Sequence, residues 1–176
     1  MENIQIQRYQ SPAGELLLGS FGGRLCLCDW TQGKRHEQTI IRLQRGLQAT
    51  YEIGNSKVTD QAASQLNEYF ARRRKSFDIP LLFVGTEFQK SVWEKLTKIP
   101  YGVTLSYGEM AVQTGTPKAV RAIANATGAN AISIFVPCHR IIGSKHTLNG
   151  YNGGLKAKRL LLEMEIEPRN GLLLPF

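Results

Sequence analysis

The stretch that most limits how this chain can fold is a polar tetrapeptide enclosed by apolar residues. Pro137-Cys138-His139-Arg140 follows the run Ile-Ser-Ile-Phe-Val at 132–136 and precedes Ile141-Ile142. A buried cysteine is common, and it is usually an inert part of the core. A thiol beside an imidazole and a guanidinium is a different case, because nearby positive charge favours the thiolate, which is the nucleophilic form. Cys138 is therefore either a core residue or a reactive nucleophile.

The length of the chain and its cysteines limit the number of domains and the cellular compartment that we expect. Its 176 residues can form one domain or two small ones, and no apolar run approaches the roughly 18–20 residues that span a membrane. The first residues lack a basic segment followed by an apolar one, so we expect no secretion signal and no membrane association. The chain has three cysteines, Cys26, Cys28 and Cys138, and this odd number indicates a free thiol and a reducing cytoplasm. Their spacing is not that of a zinc site, so we expect no bound metal, and we expect no other cofactor.

Charge is distributed unevenly along the chain. The formal net charge is +8, and no acidic residue occurs between Glu109 and Glu163. That acid-free stretch includes Cys138 and is typical of a protein that binds a polyanion such as nucleic acid. A generic basic surface is the alternative explanation. The basic residues of the stretch are Lys118, Arg121, Arg140, Lys145, Lys156, Lys158 and Arg159.

The pattern of apolar residues changes near residues 81–85. Before that point, alternating runs at 4–6, 15–19 and 25–30 predict an antiparallel meander, in which Cys26 and Cys28 point to the same face. Helices are predicted over 40–47 and 59–71. The predicted class is α+β, with a β-rich α/β N-terminal domain over 1–84 and a mainly helical C-terminal domain over 85–176.

The predicted C-terminal domain begins with a helix and continues into a helix-turn-helix. Thr86 is placed to cap the first helix, whose apolar face holds Phe88, Val92, Trp93 and Leu96. Further along, Gly115 is placed to end one helix, and Thr116-Pro117 to begin the next.

The second helix of that pair is rich in alanine and carries basic residues. We predict that it includes Lys118, Arg121 and Asn125. A helix with small side chains can lie close to a nucleic-acid groove, where basic residues reach phosphates. The alternative, an ordinary helical hairpin packed in a core, is weakened by the acid-free basic stretch around the pair.

Several separate motifs, in order and correctly spaced, resemble one known family. Over about 85–170 the chain is similar to the O6-alkylguanine-DNA alkyltransferases, while its N-terminal part is only loosely similar. The tetrapeptide 137–140 matches the signature of that family. The other matching motifs are Phe88-Gln89, Val92-Trp93, Leu96, Ser106-Tyr107-Gly108, Lys118-Ala119-Val120-Arg121-Ala122 and Gly150-Tyr151-Asn152-Gly153-Gly154-Leu155.

The resemblance implies catalytic roles for four residues. Cys138 is expected to take the alkyl group from guanine O6, and His139 to accept the thiol proton through a water. Glu165 is expected to orient the imidazole, which is the logic of a nucleophile, a base and an orienting group. Its place on an apolar helical stripe also predicts that it faces inward. Asn130 resembles the hinge asparagine of the family.

The resemblance also implies that the protein flips a guanine out of double-stranded DNA, because a thiol cannot reach O6 inside the stack. Arg121 is expected to fill the vacated space from the minor groove, and Tyr107 to contact the flipped nucleotide. The full set of predicted DNA-binding or base-binding residues is Tyr107, Lys118, Arg121, Arg140, Tyr151, Gly153, Gly154 and Lys158.

The predicted activity is DNA repair by a methyltransferase. Each molecule is expected to act once, because an S-alkylcysteine has no route back to the thiol. The protein is expected to be a monomer. O4-alkylthymine is a second candidate substrate. The main alternative is a protein that binds alkyl lesions without transfer, but such relatives lack the cysteine. A cysteine hydrolase is a further alternative, and the predicted DNA-binding helices argue against it. Some relatives bind zinc in the N-terminal domain, whereas Cys26, Cys28 and His36 predict none here.

Overall fold

A computed structural model describes residues 2–166. The strands are β1 (Ile4–Ser11), β2 (Gly14–Phe21), β3 (Arg24–Trp30), β4 (Tyr51–Ile53), β5 (Leu105–Ser106) and β6 (Ile141–Ile142). The helices are α1 (His36–Leu47), α2 (Lys57–Phe70), α3 (Glu87–Leu96), α4 (Tyr107–Gln113), α5 (Val120–Gly128) and α6 (Leu155–Glu165). This mixture of a sheet and surrounding helices confirms the predicted α+β class.

The N-terminal part is built on a four-stranded sheet with the order β3-β2-β1-β4. β1, β2 and β3 pair antiparallel in sequence order, so the predicted meander is confirmed. Cys26 and Cys28 both lie on β3 and are buried, and the prediction that they point to the same face stays a prediction. β4 is parallel to β1 at the sheet edge, and the sequence analysis did not predict it.

Helix α2 packs on this sheet through a buried stripe that includes Ala62, Leu66 and Tyr69. It begins two residues before the predicted start, because the hydroxyl of Ser56 accepts from the backbone N–H of Thr59 and so caps the helix. α1 likewise begins before its predicted start, at His36.

Segments of the C-terminal part add to the free edge of β3. The Cys28 N–H donates to Ala131 O at 2.9 Å, and the Ser133 N–H donates to Cys28 O at 2.7 Å. One cluster of buried apolar side chains runs from the sheet into the C-terminal helices. The division of the chain at 84/85 stays a prediction, and residues 167–176 of the predicted second domain lie outside the described range.

The first C-terminal helix forms as predicted. Thr86 caps α3 through a reciprocal pair of bonds with Gln89, and Val92, Trp93 and Leu96 are buried on one face. The Trp93 indole N–H donates to Ala126 O at 2.8 Å, which ties α3 to α5. Between residues 2 and 166, no helix is long and apolar enough to cross a bilayer.

The turn between α4 and α5 is longer than predicted. Gly115 follows α4 with a φ of 74°, a left-handed value that glycine adopts without strain. Thr116 does not cap α5, because its hydroxyl bonds to that of Thr114 at 2.8 Å. α5 begins only at Val120, so the prediction that Lys118 lies on the second helix is wrong.

Candidate functional site

Cys138 begins a 3-10 turn, Cys138–Arg140, that joins two buried apolar segments. Its side chain lies in the wall of an open cavity of about 770 Å³. Burial of the flanking residues fixes the backbone of the turn, so the thiol is held at the cavity and not in the middle of the core. The predicted site residues that line this cavity are Tyr107, Arg121, Asn130, Cys138 and Tyr151.

Asn130 holds the thiol and the segment that leads to it. Its side-chain amide donates to Cys138 Sγ at 3.2 Å and to Val136 O at 3.0 Å, while its oxygen accepts from the Ile132 N–H at 2.9 Å. These bonds span the loop before Cys138. The structure therefore places Asn130 where the resemblance implied a bracing residue.

The thiol is harder to ionise than the tetrapeptide suggested. Burial raises the pKa of Cys138, and the opposing effects of the Asn130 hydrogen bond and the Lys158 charge do not cancel it. Positive charge favours the thiolate as expected, through Lys158, but desolvation is the larger effect and the resting thiol stays protonated. A base must therefore remove the thiol proton.

His139 is the predicted base. Its Nε2 lies 2.8 Å from Glu165 Oε1, and both side chains are fully buried. Burial lowers the pKa of His139 despite the attraction of Glu165, so the imidazole is neutral near pH 7. A neutral imidazole that donates through Nε2 keeps Nδ1 as an acceptor. Nδ1 is one of three buried side-chain atoms without a partner between residues 2 and 166.

Arg140 holds the carboxylate that orients His139. Its Nε donates to Glu165 Oε2, and its Nη2 donates to Glu165 Oε1, both at 2.9 Å. Burial alone raises the pKa of Glu165, but His139 and Arg140 together hold it well below its usual range. The prediction that Arg140 binds DNA is wrong, because its guanidinium is buried between Glu165 and the carbonyl of Ile99.

Lys158 is also turned inward. Its ammonium group is fully buried and donates to the carbonyls of Ile141, Asn149 and Gly150. Burial lowers the pKa of Lys158 to about 8, although the nearby Cys138 acts in the opposite direction. Lys158 was predicted to approach the base or the sulfur. Its charge does act on Cys138, but its donors hold the loop at one side of the cavity, so a contact with DNA or the base is not what this structure shows.

That loop rests on the N-terminal sheet. The Trp30 indole N–H donates to the Tyr151 hydroxyl at 3.2 Å. Gly153 lies against the indole so closely that an added Cβ would sit 2.6 Å from the ring. Gly153 thus packs on Trp30, and neither it nor Gly154 lines the cavity where the sequence analysis placed them.

The sequence analysis did not identify several residues that build the site. The cavity is also lined by Lys34 and Arg35 from the N-terminal part and by Asn149 and Asn152 from the loop. Tyr69 on α2 donates its hydroxyl to Glu165 Oε1 at 2.6 Å. Asn152 lies in the motif at 150–155 that matches the family, although no role was predicted for it. The other four residues stand in no local pattern that distinguishes a site residue from a surface or core residue. Between residues 2 and 166, no three His, Cys, Asp or Glu side chains are grouped to hold a metal ion.

Comparison with known proteins agrees with this geometry. The matching family model is "6-O-methylguanine DNA methyltransferase, DNA binding domain", which covers residues 87–167. Curated relatives named methylated-DNA–protein-cysteine methyltransferase include that of Mycobacterium leprae at 53% identity and that of Mycobacterium tuberculosis at 41%, each over 92% of both chains.

Solved structures give the same result at the level of the fold. The crystal structure of Mycobacterium tuberculosis OGT in complex with DNA matches with a TM-score of 0.79 and 40% identity over 92% of both chains. The O6-methylguanine-DNA methyltransferase from Pyrococcus kodakaraensis matches with a TM-score of 0.65 and 25% identity, over 92% of this chain and 98% of that one. This chain therefore belongs to the 6-O-methylguanine DNA methyltransferase family.

Proposed function

We propose that this protein repairs DNA as a methylated-DNA–protein-cysteine methyltransferase, by irreversible transfer of the alkyl group of O6-alkylguanine to Cys138. The observation that carries this proposal is the arrangement around the thiol. Cys138 lies in the wall of an open cavity, and the next residue in sequence is a neutral His139, whose Nδ1 has no partner among residues 2–166 and whose Nε2 is held by Glu165. A nucleophile, a base and an orienting carboxylate are thus assembled in one place.

The chemistry follows from the protonation states of these groups. His139 Nδ1 accepts the Cys138 proton through a water, and the carboxylate of Glu165 stabilises the imidazolium that forms. Asn130 donates to the sulfur and so favours the thiolate. The thiolate forms a bond to the alkyl carbon as the carbon–O6 bond breaks, and the guanine leaves with that electron pair and takes up a proton.

The thioether product explains why each molecule acts once. An S-alkyl bond has no leaving group that water or His139 could displace under these conditions, so no step regenerates the thiol. The reaction consumes one protein molecule for each lesion that it repairs.

Double-stranded DNA that contains O6-alkylguanine is the proposed partner. The alkylated base enters the cavity after it is flipped from the stack. Tyr107 at the start of α4, Arg121 on α5 and Tyr151 in the loop line the cavity that receives it. Lys118 lies in the exposed turn before α5, where it can reach a phosphate.

We propose that the protein acts as a monomer in the cytoplasm, with its N-terminal part supporting the C-terminal one.

The test is the intact mass of the protein after incubation with a DNA duplex that contains O6-methylguanine. We expect the mass to rise by one methyl group in the wild type and in Cys26→Ala, a matched control that removes another buried thiol. Cys138→Ala should show no increase. Methylation that persists in Cys138→Ala would contradict the proposal, and so would wild-type protein that binds the lesion without any change in mass.

A further inference from the structure

One side chain from the N-terminal part reaches the catalytic residues, and the reaction scheme above does not use it. Tyr69 lies on α2, is fully buried, and donates its hydroxyl to Glu165 Oε1 at 2.6 Å. Burial, followed by the charge of Glu165, raises the pKa of Tyr69 well above its usual value. The hydroxyl is therefore a permanent donor to this carboxylate.

The oxygen that Tyr69 contacts is the one that holds the catalytic base. Glu165 Oε1 accepts from Tyr69, from His139 Nε2 at 2.8 Å and from Arg140 Nη2 at 2.9 Å, whereas Oε2 accepts from Arg140 Nε at 2.9 Å. A carboxylate oxygen offers about two lone-pair sites. Tyr69 and His139 therefore donate to the same carboxylate oxygen, whose negative charge is divided between them.

We propose that Tyr69 is a positioning residue for alkyl transfer, whose hydroxyl fixes Glu165 Oε1 and limits how strongly that oxygen attracts the proton of His139. This inference rests on the proposed function of Cys138 and His139. It assigns the N-terminal part a share in the reaction, because the bond joins α2 to the last residue of α6 across 96 positions of sequence.

The charged groups around the imidazole give the direction of the effect. His139 faces the carboxylate of Glu165, the guanidinium of Arg140 and the ammonium of Lys158. The phenols of Tyr69, Tyr101 and Tyr151 and the thiol of Cys138 also belong to this cluster. The Tyr69 hydrogen bond draws negative charge from Oε1. Without it, Glu165 stabilises the imidazolium more strongly and the pKa of His139 rises.

The experiment compares Tyr69→Phe with Tyr9→Phe. Phenylalanine keeps the ring and removes only the hydroxyl. Tyr9 is the matched control because its hydroxyl also donates at 2.6 Å to a residue of α2, in this case Asn67, and neither residue lines the cavity. The midpoint of His139 titration is measured by NMR of the imidazole without DNA, and the rate of methyl transfer to Cys138 is measured from pH 5 to pH 9.

In Tyr69→Phe we expect the His139 midpoint, and with it the acidic limb of the rate profile, to move up by about half a pH unit or more. Tyr9→Phe should match the wild type in both. An unchanged His139 midpoint in Tyr69→Phe would overturn the proposal, even if the rate fell equally at every pH, because that result is loss of packing alone. The NMR titration needs no alkyl transfer, so it also separates failure of this proposal from failure of the proposed function.

Discussion

At the residue scale, two neighbouring groups favour the thiolate form of the buried Cys138 side chain. Asn130 donates to Cys138 Sγ, and Lys158 acts on it through charge alone. Because burial has the larger effect on its pKa, the thiol is protonated at rest, and in the proposed reaction His139 removes its proton. This arrangement protects Cys138 from adventitious electrophiles, since a neutral thiol is a poor nucleophile. It also means that a mutation of Asn130, which donates to the sulfur, should change the pKa of Cys138.

Replacement of Asn130 tests this dependence. In Asn130→Ala the sulfur loses its donor, so we expect the pKa of Cys138 to rise further and its reaction with iodoacetamide at pH 8 to slow by roughly tenfold. The measurement is the rate of modification of Cys138, read from peptide masses. Asn67→Ala, at an exposed position on α2, is the control and should react as the wild type does. Equal rates for both variants would mean that the Asn130 hydrogen bond does not act on the thiol.

At the element scale, the turn between α4 and α5 depends on the backbone of Gly115. Its φ is 74°, and an added Cβ would meet no atom within 4 Å, so Gly115→Ala introduces backbone strain without a clash. We expect it to lower the free energy of unfolding by about 1–2 kcal/mol, measured by urea denaturation.

Gly108→Ala is the matched control for that substitution. Gly108 lies inside α4 with helical dihedrals, and the nearest atom to its added Cβ is Ser106 Oγ at 3.8 Å. We expect this variant to be as stable as the wild type or more stable by up to about 1 kcal/mol. A stability loss of equal size in the two variants would show that the left-handed backbone of Gly115 is not the cause.

The sequence predicted elements well where the signal is local. The cap at Thr86 and the alternation in β1, β2 and β3 depend on neighbouring residues, and both predictions are confirmed. Thr116 failed as a cap because its hydroxyl has a competing partner in Thr114. β4 was missed because three residues at a sheet edge are too short to show alternation.

The site was harder to predict where partners are distant in sequence. Arg140 was interpreted as a DNA contact because no acidic residue lies near it in sequence. Its partner, Glu165, lies 25 residues further on. Lys158 was predicted to approach the base or the sulfur, and the backbone carbonyls that hold its ammonium group were not foreseen. Backbone acceptors leave no trace in a sequence, and neither does a hydroxyl such as that of Tyr69.

At the scale of the whole molecule, the Glu165 network predicts how stability depends on pH. The folded pKa of Glu165 lies below its ordinary value of 4.5, so its stabilisation is complete above pH 4.5 and is lost as the pH falls through the folded value. The pKa of His139 is also lowered, so the unfolded chain takes up a proton below about pH 6.5 that the folded chain does not. Both effects weaken the fold in acid.

Glu165→Gln tests this prediction by urea denaturation at several pH values. At pH 7 we expect a loss of roughly 3–5 kcal/mol, because the buried guanidinium of Arg140 loses its counter-charge. The difference from wild type should shrink as the pH falls below 4.5. Glu163→Gln, which breaks an exposed pair with Arg159 on the same helix, should cost less than about 1 kcal/mol. A difference between Glu165→Gln and wild type that stays constant with pH would contradict the prediction.

The close approach of Gly153 to Trp30 has an optical consequence. The chain has two tryptophans, and both indoles touch elements that surround the cavity: Trp30 lies under the loop of Tyr151, and Trp93 bonds to α5. Intrinsic tryptophan fluorescence therefore arises from one indole under the loop of Tyr151 and one bonded to α5. We expect this emission to change when DNA docks or Cys138 is alkylated, so that both events can be followed without an attached label.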